Sequence, residues 1–270
     1  MEYPKISIVT VSFNQGKFLE DNIKSVINQN YPNLEHIIID AGSTDCTLGI
    51  LKKYNKYLNW ISEPDNGQTN GLNKGFKKAT GDIIGWFNSD DRMPPNTLKY
   101  VASYFIKHPT EIGLVGKINL IKEDGNYVRT VTGESYKYQI MVNERRGVTQ
   151  PSTFFKRIVF DKIGYLDESL DFIMDFDFFL RLSKLKDIPY VNRSLADFRL
   201  QQEAKTTNGL VNFRKEHIKV ARKHNASFFS KGILSDYYVI ITEPIRNIPC
   251  IRNLFRKLKG LEKYDEQKFN

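Results

Sequence analysis

Cysteine is almost missing from this chain: two in 270 residues, Cys46 and Cys250, far apart and in no CxxC or Cys/His spacing. Such scarcity argues against a disulfide framework and a structural zinc site, and suggests a reducing compartment. Long apolar runs are missing too. No stretch approaches the ~18 residues of a membrane span. The first strand-like run, Ile6 to Val11, comes without the charged region and apolar core of a secretory leader, so a cytosolic protein is expected. Internal repeats, low-complexity tracts and Gly/Ser linkers are absent. The histidines, His36, His108, His217 and His224, stand in no ligand spacing and are expected at structural or surface positions.

What is present is an apolar fraction of 40%, enough for a sizeable core in one large domain with an extension. Positive charge is unevenly placed. From Phe213 onward there are 13 Lys and Arg against 6 Asp and Glu, so the tail holds +7 of the net +9 and the first 212 residues only +2. An enzyme of nucleic acids more often lines its catalytic cleft with cations. No nucleic-acid partner is expected here.

Strand-like runs at Ile6–Ser12, Leu34–Asp40, Leu58–Ser62 and Ile83–Asn88 alternate with helical periods at Phe18–Asn28, Thr47–Tyr54 and Thr69–Ala79. Asp45 is a plausible N-cap for the second helix. This βαβ rhythm predicts an α/β fold with a mostly parallel, doubly wound sheet. A helix over Asn96–Lys107 and a hairpin of Ile112–Ile121 with Tyr127–Val131 follow, turning at Glu123-Asp124-Gly125. From Phe213 the chain reads as helical and basic. The expected division is 1–210 and a C-terminal helical extension, 211–270.

The densest chemistry lies in Gly81-Asp82-Ile83-Ile84-Gly85-Trp86-Phe87-Asn88-Ser89-Asp90-Asp91, an apolar run that ends in a turn with two adjacent carboxylates. Ligands bind beyond the carboxyl ends of strands in open α/β sheets, and hard divalent cations take oxygen ligands of this kind. A solvated Asp-Asp turn ahead of the helix near Pro94 suits the same residues. The other strand-like runs also end in polar residues: Ser12 and Asn14, Asp40 to Asp45, and Glu63 to Gly67. Each alone is a turn. Together they make a candidate nucleotide site, with a carboxylate at the end of strand two able to accept the N3 hydrogen of a pyrimidine.

The ordered set Ile8-Val9-Thr10-Val11-Ser12-Phe13-Asn14, Asp40-Ala41-Gly42-Ser43-Thr44-Asp45, Gly81-Asp82 and Asn88-Ser89-Asp90-Asp91 resembles the inverting family 2 glycosyltransferases of GT-A fold, over roughly residues 4 to 207. The resemblance implies a nucleotide-sugar donor. Thr10, Ser12, Asn14 and Asp40 would then hold the base and ribose of UDP or a similar nucleotide, with Gly42, Asp65, Asn70, Lys74, Ser89 and Arg199 completing the donor site. Asp90, with Asp91 beside it, would face a Mn²⁺ or Mg²⁺ ion bridging the diphosphate. The chain departs from the family pattern at Asn88 and Asn70, where relatives carry acidic residues, and at Gln201, where they carry His. The helix opening at Gly67-Gln68-Thr69-Asn70 would still offer free N–H groups to an anion. Helix capping by Thr69 or Asn70 is the alternative.

A second centre is Asp171-Phe172-Ile173-Met174-Asp175-Phe176-Asp177. Inversion at a sugar carbon needs one general base, and Asp175 matches the family's base position. Apolar neighbours would raise its pKa towards the working pH. Asp177 is expected to cap the helix. Upstream, Gly147 to Phe155 resembles the segment lining the acceptor side, where Gln150 contacts an acceptor or closes a turn. The implied acceptor is a glycan or lipid-linked glycan. In the tail, Ile251, Leu254, Phe255 and Leu258 with Arg252, Arg256, Lys257 and Lys259 form a basic amphipathic pattern. A peripheral contact of 245–260 with anionic membrane and simple docking on the domain are both open. A nucleotidyltransferase is a further alternative, against which stands the missing Gly-rich loop after strand one, as is a non-catalytic nucleotide-sugar or membrane-binding module.

Overall fold

The structure, a computed structural model, describes residues 3–144, 147–201 and 209–246, the last three of these by backbone alone. The chain forms two compact units, Met1–Met141 with Arg146–Ala204, and Val142–Arg145 with Lys205–Asn270. In chain order the first unit contains β1 (Ile6–Ser12), α1 (Gly16–Ile27), β2 (Leu34–Asp40), α2 (Thr47–Lys53), β3 (Asn59–Ser62), α3 (Gln68–Lys78), β4 (Ile83–Asn88) and α4 (Thr97–Lys107). It continues through β5 (Gly113–Ile121), β6 (Tyr127–Val131), α5 (Tyr138–Glu144, which ends in the second unit), β7 (Thr153–Lys156), α6 (Phe160–Ile163), α7 (Met174–Leu185) and β8 (Tyr190–Arg199).

These eight strands form one sheet in the order β3-β2-β1-β4-β7-β5-β6, with β8 on β5. Strands β1 to β4 are parallel to their neighbours, β7 runs antiparallel to β4 and β5, and β8 is parallel to β5. The mostly parallel α/β sheet expected from the βαβ rhythm is therefore present. The alternation of β1 explains why both faces are covered. Ile6 and Ile8 pack with Ile83 and Phe87 of β4, Val26 of α1 and Leu98, Val101 and Phe105 of α4. Val9 and Val11 point the other way, under α3, where Gly71 and Gly75 let the helix close in: a Cβ on Gly75 would stand 2.4 Å from Val9 Cγ1. On that same face Phe76 meets Trp86, Phe155 and Phe160, and Phe155 meets Phe178 and Phe179 of α7, with ring centroids 5.1–6.3 Å apart. Truncating one such ring to alanine costs about 3–5 kcal/mol, so this cluster fixes α3 and α7 against the sheet.

The second unit contains α8 (Leu210–Lys223) and α9 (Lys231–Arg246), which pack on each other. Between them lies a buried polar tie, His217 Nδ1 to Asp236 Oδ2 at 2.5 Å, with Arg214 on the other Asp236 oxygen at 3.3 Å. The amphipathic pattern expected over 245–260 lies outside the described side chains.

Candidate active site

The four parallel strands end level. Ser12 is in register with Asp40 and Asp40 with Ser62, while Asn88 pairs with Val11, so polar residues finish all four strands at one edge. Asp40 is fully buried. Its carboxylate accepts the Ser43 hydroxyl at 2.5 Å, the Ser43 N–H at 3.0 Å and the Ser62 hydroxyl at 2.5 Å. Asn14, in the left-handed region at φ 51°, accepts the Thr44 N–H at 2.9 Å and donates its own N–H to Ser43 Oγ at 2.8 Å. Gly42, at φ +78°, turns the same loop against Pro64. Ser12, Asn14, Asp40 and Gly42 thus form one rim, and the buried Ser12 hydroxyl has no hydrogen-bond partner in it.

Thr10 does not belong to this rim. Its side chain is fully buried and its hydroxyl bonds to His36 Nε2 at 3.2 Å. Burial takes His36 down to about 3, so the ring is neutral and serves the core. The expected contact of Thr10 with a nucleotide is corrected: two residues before the strand end, its side chain is already under the helices.

The first turn of α3 links the strand edge to the loop entering α7. Gln68 donates to Asn88 Oδ1 at 3.1 Å, the Thr69 hydroxyl to Leu170 O at 3.2 Å, and Asn70 to Glu168 at 3.0 Å. Asn73 fastens Leu166 twice, through its N–H and its carbonyl, each at 3.0 Å. Asp65 accepts the Gly67 N–H at 2.8 Å beside the helix start, and Lys74 pairs with Glu63 at 2.8 Å. Asn70 and Lys74, expected at the donor, are therefore engaged with protein carboxylates.

The acidic turn divides its two carboxylates. Asp90 is half-buried and accepts Gln201 Nε2 at 2.6 Å, while Asp91 is fully buried and its Oδ1 faces the Arg199 N–H at 3.4 Å. Burial raises the pKa of both; Asp91 stands well above the usual carboxylate range because the Asp90 charge adds to its desolvation. Ser89 beside them is buried. Arg199, also buried, donates to the Asp90 carbonyl at 2.9 Å, the Glu123 carbonyl at 2.6 Å and Asp21 at 2.7 Å, and lies over the Phe18 ring. Arg199, expected in the donor site, is therefore engaged with the acidic turn and Asp21. Its guanidinium holds the turn from behind.

Among the described residues no group of three or more His, Cys, Asp and Glu could form a metal cage. Asp90 with the Asn88 amide oxygen offers part of an oxygen shell, and Asp91 Oδ2 is buried without a hydrogen-bond partner. This donor set fits a hard cation that takes its other oxygens from phosphate and water, as Mg²⁺ commonly does. The expected pair of facing carboxylates reduces to Asp90.

Asp175 sits in the first turn of α7, where helix N–H groups are free, and accepts the Phe176 N–H at 2.7 Å. Burial pushes its carboxyl up to about 6. Its charge reaches Tyr136, whose hydroxyl accepts the Thr149 N–H at 2.9 Å and bonds Thr153 Oγ1 at 2.9 Å. Gln150 of the same segment donates to Trp86 O at 2.5 Å and so ties the segment to β4. Hydrogen bonds from the first turn of α3 thus reach both the end of β4, at Asn88, and the loop that enters α7 and leads to Asp175. Asp177 lies in the first turn of α7, at the positive end of the helix, fully buried, and binds Arg181 at 2.8 Å, which in turn holds the carbonyls of Ile163 and Tyr165.

Residues 7–174 match the description Glycosyl transferase family 2. The chain belongs to that family. As a family 2 glycosyltransferase it resembles an uncharacterized glycosyltransferase of Haemophilus influenzae, 27% identical over 277 residues, spanning 96% of this chain and 84% of that protein. It is also 24% identical over 264 residues to the chondroitin synthase of Escherichia coli, spanning 95% of this chain and 37% of that one. Among solved structures, residues 1–349 of S. aureus TarS in complex with UDP-GlcNAc align with a TM-score of 0.64 at 19% identity, over 97% of this chain and 77% of that one. The mannosyltransferase PcManGT of Pyrobaculum calidifontis, in complex with GDP-Man and Mn²⁺, aligns at 0.63 and 14% identity, over 98% and 82%. These likenesses establish the shared GT-A fold. Within the family 2 domain, Gln68, Asn73, Tyr136 and Ser62 carry contacts that motif reading passed over. Only Ser62 had a signal, as the polar end of the third strand.

Proposed function

We propose that this family 2 glycosyltransferase transfers one sugar, with inversion, from a nucleotide-diphosphate donor, foremost a UDP-sugar, to a hydroxyl of a glycan or lipid-linked glycan acceptor. The setting is bacterial surface polysaccharide synthesis, and the sugar a hexose or N-acetylhexosamine. The observation that carries the reading is Asp175: a carboxyl raised to about 6 at the start of α7, whose entering loop is tied by Thr69 and Asn70 to α3, the helix that also bonds Asn88 at the strand edge. A base poised near neutrality takes the proton of an attacking hydroxyl as the bond to the anomeric carbon forms. Ser12, Asn14, Asp40 and Gly42 shape the rim for base and ribose, with Asp65 at the start of α3. Asp90 would hold a Mn²⁺ or Mg²⁺ ion, which would supply charge stabilisation to the departing diphosphate. Residues 1–210 perform the transfer and 211–270 extend it. No helix among the described residues is long and apolar enough to cross a membrane; the enzyme works in the cytoplasm, with 245–260 in peripheral contact with the membrane.

The test is thermal unfolding with UDP, GDP, CDP and dTDP, each with and without Mn²⁺, followed by transfer assays with the matching sugar nucleotides. A ligand at a hundred times its Kd adds about 2.7 kcal/mol of stability. One nucleotide should stand out, more so with Mn²⁺, and turnover should fall by about 10²–10⁴ in Asp175→Asn. Indifference to every nucleotide, or retained turnover in that variant, would overturn the reading.

A further inference from the structure

The second unit presents two stripes that its own packing leaves uncovered. On α8 the exposed residues include Lys215, Lys219, Arg222 and Lys223, at i, i+4, i+7 and i+8, while His217, Val220 and Ala221 are buried. On α9 the exposed residues include Leu234, Tyr237, Tyr238 and Ile241, at i, i+3, i+4 and i+7, while Ile233 and Asp236 are buried. The turn between the helices adds Phe228 and Phe229. Phe229 is 84% exposed and Ile241 64%. An apolar helix face and an aromatic turn standing in water together mark an interaction site.

Charge decides the occupant. The Arg222 guanidinium lies 3.4 Å from the centroid of the Phe228 ring, so the end of the cationic stripe meets the aromatic turn. A second copy of this chain would bring like charges together at that place, and an apolar protein groove would leave the cations unanswered. A boundary between acyl chains and phosphate headgroups answers both: rings and aliphatic side chains enter, tyrosine hydroxyls stay wet, and Lys and Arg reach phosphate.

We propose that the α8–α9 pair docks the protein on an anionic lipid surface. Phe228, Phe229 and the Leu234–Ile241 face enter the acyl boundary, and Lys215, Lys219, Arg222 and Lys223 contact headgroups. This goes beyond the contact of 245–260 by naming an upstream surface, and it does not depend on the transfer chemistry.

The experiment is co-sedimentation of the full chain with vesicles of phosphatidylglycerol and phosphatidylcholine, or of phosphatidylcholine alone. Binding to the anionic vesicles should be at least tenfold tighter and should weaken as salt rises. The pairs Lys215→Glu with Lys219→Glu, and Phe229→Ser with Ile241→Ser, should each lose about tenfold or more. Nucleotide protection against unfolding, unchanged in both variants, shows that they fold and separates this surface from the donor site. In the unaltered protein, anionic vesicles should slow amide exchange over 227–243, a readout that needs no variant. Equal binding to neutral vesicles, undiminished binding by both variants, or a concentration-dependent dimer that protects 227–243 without lipid would overturn the proposal.

Discussion

Replacing Asp175 by asparagine should disable the enzyme and stabilise the protein at once. In the folded chain burial moves this carboxyl from an ordinary value of 3.8 to about 6. Each pKa unit corresponds to about 1.4 kcal/mol, so an ionised Asp175 costs the native state about 2–3 kcal/mol relative to a neutral isostere. Because the folded pKa is the higher one, the native state holds the extra proton between pH 4 and 6. The stability that proton contributes is complete below the unfolded pKa and is lost as pH rises through about 6. Urea unfolding should therefore find Asp175→Asn more stable than the parent by about 2–3 kcal/mol at pH 7.5, and by roughly half as much at pH 5. Turnover should fall by about 10²–10⁴ in the variant, and in the parent kcat/KM should decline as pH drops below about 6. Equal stabilities at pH 7.5, or a difference that does not change with pH, would refute an elevated carboxylate at this half-buried position.

The Asp90→Asn variant should lose most of the Mn²⁺-dependent part of UDP affinity in calorimetry while leaving the Mn²⁺-independent part in place. Arg199→Met leaves the Asp90 and Glu123 carbonyls behind the acidic turn without their donor; it should cost about 1–3 kcal/mol in urea unfolding, and no measurable loss would contradict the clamp. Asn73→Ala frees Leu166 and the loop entering α7, so about 1–3 kcal/mol of stability should go, with kcat falling more than donor affinity. In contrast Thr10→Val, which loses only the bond to His36, should leave nucleotide protection unchanged in the thermal assay.

Motif reading located the strand edge well because strand boundaries there coincide with changes of polarity. β1, β2 and β4 begin and end where the apolar runs do, since a strand buried on both faces has no reason to be polar before its end. β7 escaped notice because four residues, Thr153–Lys156, carry no period. β8 escaped for another reason: its pairing with β5 shifts register twice, between Val115 and Lys117 and between Lys117 and Ile118, so its side chains do not alternate cleanly. Thr10 and Arg199 were misread alike. Residue type said what each could bind, but the identity of the partner depends on which neighbour the sheet brings up, His36 in one case and the turn at Asp90 in the other.

The Arg199 clamp bears on the order of assembly. It joins the end of β8 to Asp21 and Asp90, 178 and 109 residues earlier in the chain, and contacts spanning such long loops close late. A nascent chain that has released β1 to α4 can already bury Ile6, Ile8 and Phe87 beneath α1 and α4, and Asn22 of α1 then holds the Asp91 carbonyl at 2.9 Å, but the Asp90 carbonyl still lacks the Arg199 guanidinium. The final setting of the acidic turn therefore waits for β8, the last of the described strands to be laid down.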